Sequence, residues 1–154
     1  METWELIARE GIRDTIMAYA HLVDRGRIDE LLALFTPDGI LHANDLPPAC
    51  GHEAIRAFLG GTKARLAAET ARPWIRHHVS SLRIDVIGHD TATAVSYFLA
   101  ITERGPDHWG RYRDRLVAAG GRWRFAERRV RTDGHAPDSW AGRHGSQVRP
   151  YGGI

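Results

Sequence analysis

The chain has 154 residues, 43% of them hydrophobic, which is the size and composition of one globular domain and excludes a multidomain assembly. Its 21 basic and 19 acidic residues are mixed along the sequence and leave a net charge of +2, an argument against a nucleic-acid or membrane-surface protein. Every basic residue except Lys63 is arginine, the skew a GC-rich bacterial genome imprints. Cys50 is the single cysteine, so neither an internal disulfide framework nor a cysteine-based zinc site is expected. No hydrophobic leader opens the sequence and no apolar run approaches the ~20 residues of a membrane span, which predicts a cytoplasmic protein.

From Trp4 to Val23, Ile12, Ile16 and Ala20 recur every four residues, with Leu6, Ile7, Tyr19 and Val23 widening the stripe; this predicts an amphipathic helix interrupted by Gly26. A short helix from Ile28 to Phe35 follows, ended by Pro37 and Gly39 before a brief strand from Ile40 to Ala43. Pro47 and Pro48 mark a loop. A third helix is predicted from His52 to Ala68, burying Ile55, Phe58, Leu59 and Leu66, with Gly60 and Gly61 weakening its middle.

The pattern then turns to strands: Trp74 to Ile87, Thr91 to Glu103, Trp109 to Val117 and Trp123 to Thr132. Gly88-His89-Asp90 and Ala119-Gly120-Gly121 read as hairpin turns, and Gly105-Pro106-Asp107 as a longer connection. Three helices before an antiparallel meander is an α+β order, with helices covering one face of a curved sheet. Residues 1–132 make one domain, and 133–154 a tail that lids the body, crosses a neighbour as a dimer arm or stays loose.

Among groups that could do chemistry, Asp24 continues the four-residue series Ile12, Ile16, Ala20. It either ends a buried face, where a carboxylate needs a partner, or caps the next helix from an exposed loop. His77 and His78 are adjacent on a strand, so one of them at most faces a given cavity. Leu82, Ile84 and Val86 share parity with His78, and Ile75 and Val79 with His77, so the phase slips and parity decides nothing. The other seven histidines, His21, His42, His52, His89, His108, His135 and His144, show no metal-ligand spacing. Tyr19, Tyr97 and Tyr112 are hydroxyl donors on apolar faces, and one of Arg128 and Arg129 points inward if the last strand alternates. Serine-hydrolase, nucleotide-binding and dinucleotide-binding motifs are absent.

Six strings in order resemble the SnoaL-like branch of the nuclear transport factor 2-like superfamily, a cone-shaped α+β barrel. They are Tyr19-Ala-His-Leu-Val-Asp24-Arg-Gly-Arg-Ile-Asp29, Leu31-Leu-Ala-Leu-Phe35-Thr-Pro-Asp38, Gly51-His-Glu-Ala-Ile55, Arg76-His77-His-Val-Ser-Ser81, Gly110-Arg-Tyr112-Arg-Asp114 and Gly121-Arg-Trp123-Arg-Phe125. The resemblance implies a curved, mostly antiparallel sheet covered by three N-terminal helices. The family includes dehydratases, a dehydrochlorinase, isomerases, cyclases, epoxide hydrolases and members without catalysis, so fold alone does not choose a function.

In the dehydratase and dehydrochlorinase group an Asp at the end of the first helix pairs with a His early on the first long strand. Asp24 and His77 match, with Leu82-Arg83 setting the register on His77. Tyr19 stands where the bile-acid enzyme has tyrosine, and Arg128 where the dehydrochlorinase has a last-strand arginine. Two patterns are departed from. Scytalone dehydratase has a second histidine on the next long strand, which here reads Ser96-Tyr97-Phe98; epoxide hydrolases have an Asp-Arg-Asp set, for which Asp114 is the one evident strand carboxylate.

The expected activity is a β-elimination of water or another leaving group from a hydrophobic cyclic or polyketide-like small molecule, without cofactor or metal. Asp24, His77 and Tyr19 are the expected catalytic residues, and Arg128, Tyr97, Tyr112, Phe35 and Phe58 the expected substrate contacts. An isomerase or cyclase using the same base is the alternative, followed by a non-catalytic oxygenase small subunit or binding protein. Members of the family often form dimers through the outer sheet face, so the resemblance implies a homodimer or higher homo-oligomer, with which the two-sided apolar pattern of the Trp74 to Ile87 strand is compatible.

Overall fold

A computed structural model describes residues 1–69 and 74–143; Tyr151, which belongs to the expected tail lid, lies outside them. Helix α1 (Thr3–Asp24) buries Ala8, Ile12, Thr15, Ile16, Tyr19 and Ala20, the three- and four-residue spacing of one helical face. Leu6 and Ile7, expected on that face, are exposed. Gly26 adopts φ 63°, and the N–H groups of Gly26 and Arg27 donate to the carbonyls of Val23 and Leu22. This left-handed stop leaves Asp24 on the last turn.

Helix α2 (Ile28–Leu32) is shorter than expected and strand β1 (Phe35–Ala43) longer. The Phe125 N–H donates to the Leu34 carbonyl at 2.8 Å and Phe35 pairs with Phe125, so the chain joins the sheet five residues before Ile40. The register of β1 slips between Phe35 and Ile40, which absorbs Pro37 and Gly39 into a bulge. Strand β2 (Ala49–Cys50) and helix α3 (Gly51–Glu69) follow.

Strands β3 (Ile75–Val86), β4 (Thr91–Thr102), β5 (Gly105–Ala119) and β6 (Arg122–His135) form the meander. The six-stranded order is β2-β1-β6-β5-β4-β3, antiparallel except where β1 runs parallel to β6. Helix α1 touches both β3, at one sheet edge, and β6, so the sheet wraps around it. Thr15 ties the two layers by donating to the Trp123 carbonyl at 2.6 Å, and Gly11 admits the Trp123 ring where a Cβ would lie 2.9 Å from it. The main core, Ile12, Ile16, Leu31, Leu34, Phe35, Ile55, Leu116 and Phe125, fills the space between α1, α2, α3 and the sheet. Each such aliphatic or aromatic side chain contributes about 1.5–3 kcal/mol.

Two bulges decide which residues face inward. On β3 the pairing slips between Ser80 and Arg83, with Ser81 at φ 51°. Ile75, His77 and Val79 before the bulge therefore share the inner side with Leu82, Ile84 and Val86 after it, while Arg76, His78, Arg83 and Asp85 are exposed. The strand has one apolar face, and the two-sided pattern that looked compatible with a dimer is the trace of the bulge. On β6, Leu116 pairs with Phe125 and Arg115 with Glu127, leaving Ala126 as the extra residue. Alternation from Trp123 and Phe125 would bring Arg129 inward; the bulge brings Arg128 inward instead.

Strand β6 continues to His135, past the expected boundary at Thr132, and the chain turns back into a short helix, α4 (Trp140–Arg143), packed on β5. No described helix is long and apolar enough to cross a membrane.

Candidate active site

A cavity of about 480 Å³ borders the apolar core, which supplies Tyr19, Leu41 and Leu59 to its wall. That size suits a small organic ligand, for which pockets run ~300–1,000 Å³. Val23, Leu41, Leu46, Phe58, Leu59, Phe98 and Val130 give it apolar walls, and Tyr19, Thr62, Arg65, His77, His108, Tyr112 and Thr132 set polar groups among them.

Asp24 and His77 meet at this wall. The His77 ring Nδ1 lies 2.6 Å from Asp24 Oδ1, and the His77 backbone N–H donates to Asp24 Oδ2 at 3.0 Å. An ionised carboxylate only accepts, so the proton sits on Nδ1 and Nε2 is left as the basic nitrogen. The carboxylate is 7% exposed and the imidazole 13%. The exposed helix-cap reading of Asp24 is thereby replaced by the buried-partner one.

Tyr19 and Tyr112 line the cavity floor, their rings 6.2 Å apart and edge to face. Beneath them lies Arg128, fully buried, its guanidinium carbon 4.1 Å from the Tyr19 ring centroid and 4.2 Å from those of Tyr112 and Phe125. Its Nε and one Nη donate to the two oxygens of Asp114, both at 2.8 Å. Burial opposes charge on Arg128, but Asp114 outweighs it and raises the guanidinium pKa above its ordinary value. Burial, against the opposing pull of Arg128, raises the Tyr19 hydroxyl pKa; burial also raises that of Tyr112. Both phenols are thus neutral donors.

The expected contacts divide accordingly. Tyr19, Tyr112 and Phe58 line the cavity. Phe35 is fully buried behind Tyr19, with ring centroids 6.3 Å apart, and belongs to the core. Arg128 faces inward but lies under the lining rather than in it. Tyr97 is 58% exposed, because β4 alternates and sends Ser96 and Phe98 inward. Asp114, the strand carboxylate set against the Asp-Arg-Asp pattern, is buried in an ion pair with Arg128.

One feature escaped the sequence reading. His108 lines the cavity, its ring centroid 6.1 Å from that of His77, and its Nδ1 lies 2.8 Å from Asp107 Oδ2. Gly105-Pro106-Asp107 is part of β5 rather than a connection: Pro106 pairs with Ile101 and His108 with Ala100, which leaves Asp107 as a bulge residue turned inward. The adjacent Asp-His pair at a strand start was the available signal. Among the described residues, no three His, Cys, Asp or Glu side chains converge as a metal site would require.

The SnoaL-like domain model matches residues 4–129 of the chain. No curated protein matches it significantly. Among solved structures, a candidate scytalone dehydratase from Novosphingobium aromaticivorans is 25% identical with a TM-score of 0.82, covering 100% of this chain and 99% of its own. A protein from Catenulispora acidiphila, in complex with S-DNPA, is 30% identical with a TM-score of 0.69, over 81% of this chain and 92% of its own. The hexachlorocyclohexane dehydrochlorinase LinA-type3 of Novosphingobium barchaimii is 16% identical with a TM-score of 0.73, over 86% and 91%, a likeness of fold. Dehydratase and dehydrochlorinase chemistry is thus represented among proteins of this architecture.

Proposed function

The chain belongs to the SnoaL-like domain family, and on that footing we propose that it is a lyase that eliminates water, or a comparable β-leaving group, from a hydrophobic cyclic ketone or polyketide-like molecule. The observation that carries this reading is the Asp24–His77 pair at the wall of an apolar cavity, held by 2.6 and 3.0 Å contacts. Asp24 fixes the tautomer and supports the imidazolium as it forms; His77 Nε2 takes the proton beside the substrate carbonyl. The neutral Tyr19 hydroxyl donates to the oxygen on which charge develops. The apolar walls select a hydrophobic ring and strengthen these interactions by keeping water out.

Isomerisation and cyclisation begin with the same proton abstraction, so the fate of the enolate separates them. A non-catalytic binding or assembly subunit requires no enclosed carboxylate at position 24; the 7% exposure of Asp24 and its two bonds to His77 count against it. The test is product mass. The full chain is incubated with a panel of fused-ring β-hydroxy ketones: loss of one water supports the lyase, an unchanged mass with altered chromatography supports the isomerase or cyclase, and no conversion of any ketone overturns both. His77→Gln is expected to lower turnover by at least ~10² while leaving the circular dichroism spectrum unchanged.

A further inference from the structure

Eliminating hydroxide calls for two proton transfers, and Asp24–His77 provides one. We propose that Asp107 and His108 form a second, separately built dyad that supplies the other, with His108 as the general acid for the leaving group. This rests on the elimination reading above.

Four observations converge on it. His108 is a cavity-lining side chain, 13% exposed, as His77 is. Its Nδ1 is engaged by Asp107, so its Nε2 is the nitrogen free to meet a ligand, the same arrangement as in the first dyad. The rings stand 6.1 Å apart at an interplanar angle of 79°, with Phe98 packed 6.0 Å from one and 5.7 Å from the other. Two imidazoles so spaced can reach a proton and a leaving oxygen on neighbouring carbons of one substrate.

The fourth observation is that Asp107 is a constructed site rather than a chance neighbour. Its carboxylate is 2% exposed and accepts from three donors: His108 Nδ1, the Trp140 N–H at 2.8 Å and the Ala141 N–H at 3.3 Å. Its backbone carbonyl accepts from the Ala136 N–H at 2.8 Å. Trp140 and Ala141 also line the cavity, so the segment that closes the wall is the one that holds the orienting carboxylate. The other titratable groups on the cavity wall are Tyr19, Tyr112, Asp45 and Arg65. Of these only Tyr112 lies on β5, outside the Asp107 cluster, and burial keeps its hydroxyl protonated.

The step begins with His77 neutral and His108 as the imidazolium, protonated on both ring nitrogens with Nδ1 held by Asp107. His77 Nε2 takes the α-proton and the C–H electron pair becomes the enolate. The enolate reforms the carbonyl and the new carbon–carbon double bond as the β C–O bond breaks, and the departing oxygen receives the His108 Nε2 proton and leaves as water. The products are an enone and water. His77 is left cationic and His108 neutral, and one proton passing from the first to the second through solvent resets the pair.

The discriminating experiment compares two probes, a fused bicyclic β-hydroxy ketone and its β-chloro analogue, because chloride leaves without a proton. Expected is a loss of at least ~10² on the hydroxy ketone in His108→Gln and less than ~10-fold on the chloro ketone, whereas His77→Gln lowers both. Equal losses on the two probes in His108→Gln, or no loss on either, overturn the proposal. Should that variant fold poorly, Asp107→Asn carries the same comparison. A second readout needs no substrate: in the full chain, nitrogen chemical shifts should place the neutral His108 proton on Nδ1, and Asp107→Asn should mix the tautomers of His108 but not of His77. A proton found on Nε2 of neutral His108 overturns the dyad. A wild-type protein that converts neither ketone, with both tautomers as expected, overturns the elimination reading and with it the general-acid role of His108, and leaves only the Asp107–His108 pairing standing.

Discussion

The carboxylate of Asp24 receives the ring Nδ1 and the backbone N–H of the same residue, His77, so one side chain on α1 fixes both an imidazole and the strand that carries it. Ring orientation and helix–sheet docking are therefore one event.

Asp24→Asn keeps an acceptor for the His77 N–H but offers no full charge to the ring. Turnover should fall by ~10² or more with stability changed by less than about 2 kcal/mol. Stopped-flow or product assays alongside urea unfolding check it; a variant with wild-type turnover refutes the role of Asp24.

Tyr19→Phe removes a neutral donor from the cavity floor and leaves the ring that covers Arg128. Turnover should fall on the order of 10²-fold with little change in KM, because the hydroxyl acts where charge develops. A change confined to KM would make Tyr19 a binding contact only.

Arg128→Met leaves Asp114 buried without its cation and should destabilise by about 3–5 kcal/mol. Arg128→Met with Asp114→Leu removes both charges and should recover most of that loss in denaturant unfolding. Additive losses in the double variant would contradict the pair as a coupled unit.

Ser81 occupies the left-handed region at the β3 bulge. Ser81→Gly should retain turnover and stay within about 1 kcal/mol of wild type. Deleting Ser81 removes the phase slip and turns either His77 or the Leu82, Ile84, Val86 set outward, so the deleted chain should fail to fold or lose activity entirely. An active, folded deletion variant would disprove the bulge's part.

Acid should undock α4. Burial pushes the Asp107 carboxyl up, but His108 and the Trp140 and Ala141 N–H groups more than offset this and hold it below its ordinary value of 3.8. A carboxyl lowered on folding adds stability that is present above 3.8 and fades as pH falls from there through the lower folded value. Local protection of the residues 136–143 amides, followed by hydrogen exchange, should drop across that window in wild type and show no such step in Asp107→Asn.

The first helix and Asp24 were legible because a 3.6-residue period survives in one dimension, and each step of four from Ile12 lands on the same face. His77 was not separable from His78 by residue pattern, since one extra strand residue at Ser81 reverses parity and a bulge has no reliable signature in sequence. The resemblance to the family supplied that register. Arg128 and Arg129 posed the same problem at Ala126. His108 was missed for another reason: Gly105 and Pro106 are turn residues by propensity, and their pairing with Thr102 and Ile101 comes from the sheet as a whole.

The buried Arg128–Asp114 layer beneath Tyr19 and Tyr112 divides the molecule into a foundation and a chamber. Below it, close-packed side chains of α1, β5 and β6 carry the stability; above it, Val23, Leu46, Phe58 and Val130 border open space. Leu46, outside the packed set, can change what the chamber admits and leave the foundation intact, whereas Val23, Phe58 and Val130 also pack against the core, so new substrates reached through them are traded against stability.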